Sequence, residues 1–214
     1  MTDPVLVEQR RYYAERAPEY DDWWYKRGRY ALDARTEAQW WQDVREVEDA
    51  LDACGPLGDV VELAAGTGIW TRRVLQSADR VTAVDANPET LALNTSEAEH
   101  LLVDIFEWKP TKTFDFCFFS YWLSHVPDRR VGAFWQLVRS LLRPGGRLFL
   151  VDTPPGTHES EGELELRQLA DGRQFEIVKV CRGPGELAAQ AAEHGFSLEP
   201  RLAAFGHILY GGGR

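Results

Sequence analysis

The chain has 214 residues, 44% of them hydrophobic and 27% charged, a composition typical of one globular domain and unlike that of a disordered or fibrous protein. Its 24 basic and 34 acidic residues give a formal net charge of −10, which argues against nucleic acid as a substrate because a phosphate backbone would be repelled. The three cysteines form no CxxC pair, and no apolar stretch suits a signal peptide or a membrane span. We therefore expect a cytoplasmic protein without a metal site or a membrane partner, and the oligomeric state stays open.

The first 57 residues are predicted to form a helical cap. A first helix is expected over residues 5–17, where Pro18 should end it. Apolar residues recur at helical spacing from Ala38 to Leu51, which indicates a second helix ending before Gly55-Pro56. Between them lies the segment YDDWWYKRGRY, dense in aromatic and charged side chains.

Residues 58–152 alternate short apolar runs with helical segments and are predicted to form the core. Strands are expected at residues 60–64, 80–84, 101–103, 114–120 and 147–151. Helices are expected over residues 69–77 and 87–97, and after Asp128, where Val131, Phe134, Val138 and Leu142 share a face. Apolar strands separated by helices indicate a parallel sheet that is covered on both faces.

Residues 153–214 are predicted to complete the sheet at one edge. Residues 175–180 alternate in polarity, residues 186–194 are helical in pattern, and residues 198–209 are extended. We expect two further strands from this region, one of them antiparallel. The whole chain is then a single α/β domain with a doubly wound, mostly parallel seven-stranded sheet, an antiparallel edge strand and an N-terminal helical appendage.

A glycine-rich turn follows the first predicted strand, in the stretch VVELAAGTGIWT at residues 60–71. In an open parallel sheet ligands bind beyond the carboxyl ends of the strands, where Gly66-Thr67-Gly68 should lie. Asp85, 17 residues after Gly68, is placed to accept the two hydroxyls of a ribose, and Asp104 to accept an exocyclic amine between Ile105 and Phe106. Thr71 stands where a dinucleotide fingerprint needs a third glycine, so the turn favours a nucleoside without a pyrophosphate.

Five ordered motifs in the chain resemble those of the class I S-adenosylmethionine-dependent methyltransferases. They are VVELAAGTGIWT, VTAVDANPETL, LVDIFEW, FDFCFFSYWLSHV and LLRPGGRLFLVD, and the resemblance covers roughly residues 10–152. It implies a Rossmann-like fold, S-adenosylmethionine as the cofactor, and an N-terminal helical lid with a Tyr-Asp pair like Tyr20-Asp21. One departure is Ala65, where many relatives carry cysteine or glycine.

The resemblance also implies a set of cofactor-binding residues. They are Tyr20, Glu62, Ala64, Gly66, Thr67, Gly68, Asp85, Ala86, Asp104, Ile105, Phe106, Ser120 and Tyr121. In relatives the residues at these places orient the ammonium group (Glu62), the ribose (Asp85) and the adenine (Asp104). Each acid has a plainer alternative: Glu62 could bond the amides of the turn, Asp85 could cap the next helix, and Asp104 could be solvent-exposed.

The acceptor side is less defined by the sequence. His125, in SYWLSHVPD, follows the fourth strand and is the candidate catalytic base, since histidine titrates near neutral pH; a packing role in its loop is the alternative. Tyr13, Trp24 and Trp122 are candidate substrate-binding residues together with His125. The polar stretch at residues 153–173 is expected to line or cover the acceptor site. A structural role is expected for the other histidines, which are His100, His158, His194 and His207.

These features predict an enzyme that methylates an oxygen or nitrogen of a small-molecule metabolite, with no nucleic-acid partner. A tRNA or protein methyltransferase is the nearest alternative and would need a basic face around the pocket. A NAD-dependent oxidoreductase would need the missing third glycine and usually a Tyr-Lys pair. A non-catalytic cofactor-binding module would be favoured by a degraded glycine turn, and this turn is intact.

Overall fold

A computed structural model describes residues 3–156 and 162–214 of the chain. His158 and part of the 153–173 stretch therefore lie outside the described residues. The helices are α1 (Pro4–Arg16), α2 (Tyr20–Trp24), α3 (Ala34–Asp52), α4 (Ile69–Val74), α5 (Pro88–Leu93), α6 (Asp128–Leu141) and α7 (Pro184–Glu193). The strands are β1 (Gly58–Leu63), β2 (Ala78–Asp85), β3 (Glu99–Leu102), β4 (Phe114–Ser120), β5 (Leu142–Asp152), β6 (Leu164–Gln168), β7 (Gln174–Val178), β8 (Leu198–Leu202) and β9 (Leu209–Gly213).

Seven strands form one sheet in the order β3-β2-β1-β4-β5-β9-β8. Pairs from β3 to β5 are parallel, whereas β9 runs antiparallel to both β5 and β8. The predicted doubly wound, mostly parallel sheet with an antiparallel strand near one edge is thus confirmed. The order reverses between β1 and β4, and this reversal opens a crevice at the carboxyl ends of these strands.

The C-terminal strands are arranged differently from the prediction. The alternating segment at residues 175–180 contributes β7, which pairs with β6 in a separate two-stranded sheet, and is not an edge strand. Both edge strands come from the last extended segment, which folds back as the hairpin β8–β9. Asp43 of α3 is fully buried and accepts hydrogen bonds from the amides of Phe205 and His207 at 2.8 and 2.9 Å, which stabilises the turn of this hairpin.

Proline and asparagine account for two differences in the helices. Pro18 does not end the helical backbone: it lies in a 3-10 turn, Ala17–Glu19, that leads into α2, and proline is tolerated where its missing N–H has no helical partner. Helix α5 ends at Leu93, short of residue 97, because the Asn94 amide donates to Thr71 Oγ1 at 3.1 Å and accepts from the Ser96 amide. Asn94 thereby ties this bend to α4.

Apolar side chains cover both faces of the sheet, as predicted. In β4, Cys117 and Phe119 pack with Phe134 of α6 on one face, while Phe116 and Phe118 belong to the cluster around α3 on the other. All of these side chains have 0% exposure, and burying one of them stabilises the fold by roughly 1.5–3 kcal/mol. Across the described ranges, no helix is both long and apolar enough to cross a membrane.

Candidate active site

A cavity lies at the carboxyl ends of the central strands beneath α1, and together with the open solvent space at its mouth it occupies about 830 Å³. Most of the predicted site residues line it, namely Tyr13, Tyr20, Ala64, Gly66, Asp85, Ala86, Asp104, Ile105, Phe106, Ser120, Tyr121, Trp122 and His125. Four others do not: Glu62, Thr67, Gly68 and Trp24.

The two glycines of the turn serve different ends. Both have left-handed backbones, with φ of +56° at Gly66 and +81° at Gly68. A Cβ on Gly66 would meet nothing within 4 Å, so glycine keeps this edge of the cavity clear. A Cβ on Gly68 would collide with Asn94 Oδ1, so glycine there allows α4 to pack against the bend after α5. Thr67 ties the cap to this turn by donating its hydroxyl to Asp21 at 2.5 Å.

Asp85 lines the cavity and also hydrogen-bonds to the turn after β1 and to the residues at the start of α5. Its Oδ2 accepts from the amide of Gly66 at 2.8 Å, and its Oδ1 accepts from the amide of Asn87 at 2.8 Å and the hydroxyl of Thr90 at 3.3 Å. Burial raises the pKa of the Asp85 carboxyl. Asp85 therefore does not cap α5, whose N-cap residue is Asn87, but one carboxylate both fixes the Gly66 turn and lines the cavity.

Glu62 is a buried acid with unused hydrogen-bonding capacity. It has 0% exposure, and neither carboxylate oxygen has a hydrogen-bond partner among the described residues, so it does not bond the amides of the turn. Burial raises the pKa of Glu62 to about 8. The nearby Thr71 hydroxyl lowers this pKa somewhat, although it is not in hydrogen-bond geometry, and the negative charge of Asp85 raises it further. A buried acid left unpaired beside an open turn suits a cationic group such as the ammonium of S-adenosylmethionine.

Asp104 is partly engaged by the protein itself. One oxygen accepts from the amide of Phe106 at 2.9 Å, and the other forms an ion pair with Arg10 of α1. The solvent-exposed alternative therefore does not describe this residue. Ile105 beside it is buried, and the Phe106 ring lies 6.3 Å from the ring of Trp122 at a tilt of 43°, so the two rings form an apolar border on this side of the cavity.

His125 and Tyr13 form a hydrogen-bonded pair at the other side of the cavity. His125 Nδ1 lies 2.7 Å from the Val178 carbonyl oxygen, which can only accept, so Nδ1 carries the proton. The other ring nitrogen, Nε2, then accepts from the Tyr13 hydroxyl at 2.8 Å. Burial, and next the charge of Lys179, holds the pKa of His125 well below its usual value. The imidazole is therefore neutral at physiological pH.

Two tryptophans predicted as substrate contacts lie in different surroundings. Trp122 lines the cavity, and its Nε1 has no hydrogen-bond partner among the described residues. Trp24 is 5% exposed and packs edge-on against Trp40 and Trp70, at 5.4 and 5.6 Å between ring centres, in the cluster on the α3 face. It lines a smaller hollow that Gly66 also borders.

Several cavity residues were not predicted. They are Leu6, Gln9 and Arg10 of α1, and Asn87 and Thr90 around the start of α5. The α1 residues recur with Tyr13 at a spacing of three or four, which places them on one helical face and was a usable signal. Conversely, no described residue of the 153–173 stretch lines the cavity. Leu169 of this stretch instead packs with Tyr12 of α1 in a separate apolar cluster. His100, His194 and His207 do not line it either.

Comparisons with known proteins identify the family and the fold. A family model described as "Methyltransferase domain" matches residues 60–146. The structure of a DhpI–SAM–HEP complex is 34% identical over 100% of this chain and 99% of that chain, with a TM-score of 0.84. The Burkholderia thailandensis 1,6-didemethyltoxoflavin-N1-methyltransferase, bound to 1,6-didemethyltoxoflavin and S-adenosylhomocysteine, is 21% identical over 100% and 91% of the two chains, with a TM-score of 0.67. No curated protein gives a significant match to the sequence.

Proposed function

Because this chain belongs to the class I S-adenosylmethionine-dependent methyltransferases, we propose that it methylates an oxygen or nitrogen atom of a small metabolite. The observation that carries the proposal is that one cavity joins the Gly66 turn and Asp85 to the Tyr13–His125 pair. S-adenosylmethionine, when bound, supplies a methyl group that is already activated. The protein must then align the acceptor with it and exclude water.

The residues on the cofactor side are assigned to holding the two ends of S-adenosylmethionine. Glu62 offers an unpaired carboxylate to the ammonium group, and Gly66 leaves the room that the methionine part needs. Asp85 offers its carboxylate to the ribose, and Asp104 offers its carboxylate to the adenine amine. We assign residues 1–57 as the cap, 58–152 as the cofactor core, and 153–214 as the acceptor-side and edge region of one domain.

On the acceptor side, Tyr13 and Trp122 are assigned to contact the acceptor, and His125 acts through Tyr13. The Tyr13 proton is held by His125 Nε2, so the Tyr13 oxygen presents lone pairs to the cavity. A hydrogen on the acceptor atom can move to that oxygen while the Tyr13 proton moves to Nε2. Burial weakens His125 as a base, yet it also keeps the ring neutral and able to accept the proton.

A small acceptor is favoured over a macromolecule by the shape of the site and by charge. Helix α1 covers the cavity, and the net charge of −10 opposes binding of an RNA backbone. The DhpI structure is a complex with both SAM and HEP, which supports a site that holds a second component beside the cofactor. We accordingly propose a small-molecule acceptor, no nucleic-acid or membrane partner, and a cytoplasmic location.

Calorimetric titration with S-adenosylmethionine, S-adenosylhomocysteine and NAD tests the cofactor. Transfer of label from methyl-labelled S-adenosylmethionine tests the acceptor, with a metabolite panel, total tRNA and a protein mixture as parallel substrates. We expect binding of the first two ligands and label in a small product. Binding of NAD alone, or label found only in tRNA or protein, would contradict the proposal.

A further inference from the structure

Gln9 is a buried polar residue that the proposed chemistry does not use directly. It lies on α1, is 3% exposed and reaches two distant parts of the main chain. Its Nε2 donates to the carbonyl of His125 at 3.1 Å, and its Oε1 accepts from the amide of Val178 at 2.9 Å. Both ends of the side-chain amide are therefore satisfied, which fixes its orientation.

These two bonds close a ring with the His125 side chain. Gln9 joins the His125 carbonyl to the Val178 amide, and the Val178 carbonyl in turn accepts from His125 Nδ1 at 2.7 Å. The ring supports the spacing between the His125 main chain and the end of β7, together with the Val180 amide, which donates to the Ser124 carbonyl at 2.8 Å. That distance is what allows Nδ1 to donate, and a donating Nδ1 leaves the lone pair on Nε2.

The same helix supplies the partner of that lone pair. Gln9 and Tyr13 are four residues apart, so they lie on one face of α1 and meet the same neighbour. Gln9 contacts the main chain of His125, and Tyr13 contacts Nε2 of its ring at 2.8 Å. One face of α1 thus determines both how the imidazole is oriented and what its free nitrogen faces.

We propose that Gln9 is a positioning residue for the Tyr13–His125 pair, an inference that rests on the proposed function. It acts through His125 by holding the Nδ1-protonated ring with Nε2 directed at Tyr13. Gln9 itself transfers no proton. Its loss should allow the other tautomer or another ring orientation and so misalign the Tyr13 oxygen with the acceptor.

The test compares Gln9→Met, Gln9→Glu and Glu8→Ala. Methionine keeps much of the length but removes both hydrogen bonds. Ionised glutamate keeps an acceptor for the Val178 amide but has no donor for the His125 carbonyl, so this variant is measured at a pH above the pKa of the introduced carboxyl. Glu8 is the matched control because it also binds β7, accepting from the Glu176 amide at 3.1 Å, without reaching His125.

The direct measurement is the ¹⁵N NMR signature of the His125 ring, which distinguishes the two tautomers without any ligand. We expect a single Nδ1–H form in the wild type and in Glu8→Ala, and a mixture of forms in Gln9→Met and Gln9→Glu. With an acceptor identified, kcat of both Gln9 variants should fall by up to about 100-fold while the Kd of S-adenosylmethionine is unchanged.

An unaltered Nδ1–H signature with unaltered kcat in both Gln9 variants would overturn the proposal. So would an equal loss in Glu8→Ala, because docking of α1 alone would then explain the effect. If circular dichroism shows that Gln9→Met does not fold, the ¹⁵N NMR spectrum of Gln9→Glu tests the proposal instead. If the wild type methylates nothing, the proposed function fails, while the NMR signature still decides the role of Gln9.

Discussion

The side of the cavity that we propose for the cofactor and the side that we propose for the acceptor are built largely from contacts of different range. On the cofactor side, Asp85 binds amides 19 and 2 residues away, and Asp104 binds an amide 2 residues away. On the acceptor side, His125 is joined to Tyr13 across 112 residues, to Gln9 across 116 and to Val178 across 53. The first side is encoded mainly in short segments at strand ends, to which the cap adds the Arg10–Asp104 pair across 94 residues and the Thr67–Asp21 bond across 46. The second side exists only once the cap and the β6–β7 sheet have docked.

If this difference is functional, variants on each side should separate binding of the cofactor from turnover. The largest separation is expected for His125→Ala. This change removes the group that receives the Tyr13 hydrogen bond, so kcat should fall by about 10²–10⁴-fold while the Kd of S-adenosylmethionine stays constant. Single-turnover kinetics and calorimetry measure the two quantities. His194→Ala is the control, since that residue does not line the cavity. Parallel losses of kcat and of S-adenosylmethionine affinity in His125→Ala would contradict a separation between cofactor binding and turnover.

The glycine turn offers a comparison within the cofactor side. Gly68→Ala should reduce the free energy of unfolding by about 2–4 kcal/mol, because the new Cβ meets Asn94 and the backbone is left-handed. Gly66→Ala should cost only about 1–2 kcal/mol, for its backbone conformation alone, yet it should weaken binding of S-adenosylmethionine. Urea unfolding and calorimetry check both values. Equal stabilities of the two variants would mean that the packing against Asn94 is not tight.

Asp85→Asn should weaken binding of the cofactor without changing the rate of methyl transfer. A hydrogen bond to a charged group contributes about 1.5–3 kcal/mol, so the Kd of S-adenosylmethionine should rise by roughly 10- to 100-fold, with kcat nearly unchanged at saturating cofactor. Asp79→Asn, an exposed position on the same strand, is the matched control. An unaltered Kd for Asp85→Asn would contradict the ribose assignment.

Glu62→Gln should change how the free energy of unfolding depends on pH, and we expect this effect to be the smallest of the four predicted here. The pKa of Glu62 is about 8 in the folded protein against a reference of 4.5, so the unfolded chain loses this proton first as the pH rises. Its stabilising contribution is complete below about pH 4.5 and is lost as the pH approaches 8. Glu62→Gln should therefore be more stable than the wild type at pH 9 by about 1–3 kcal/mol, measured by urea unfolding without ligand. A wild type whose stability rises from pH 5 to pH 8 as steeply as the variant's would refute this assignment.

The same contrast in contact range explains what the sequence revealed. Strands β1, β2 and β4 and the Gly66 turn were predicted because apolar runs and glycines act locally. The partner of β7 was not, since alternation identifies a strand without naming its neighbour. Trp24 and Trp122 have the same side chain, and only the packing of α2 against α3 shows that Trp24 belongs to the buried cluster. The importance of Gln9 depends on Val178, 169 residues away, and no local pattern connects them.

Helix α1 has a consequence for the timing of ligand exchange. It spans 13 residues, about 20 Å, and Arg10 is paired to Asp104 on the side proposed for adenine, while Tyr13, three residues on, is paired to His125 on the side proposed for the acceptor. A rod held at both places cannot lift from one without straining the other. We therefore expect a single gate for both ligands, so that the spent cofactor and the methylated product leave in the same opening event.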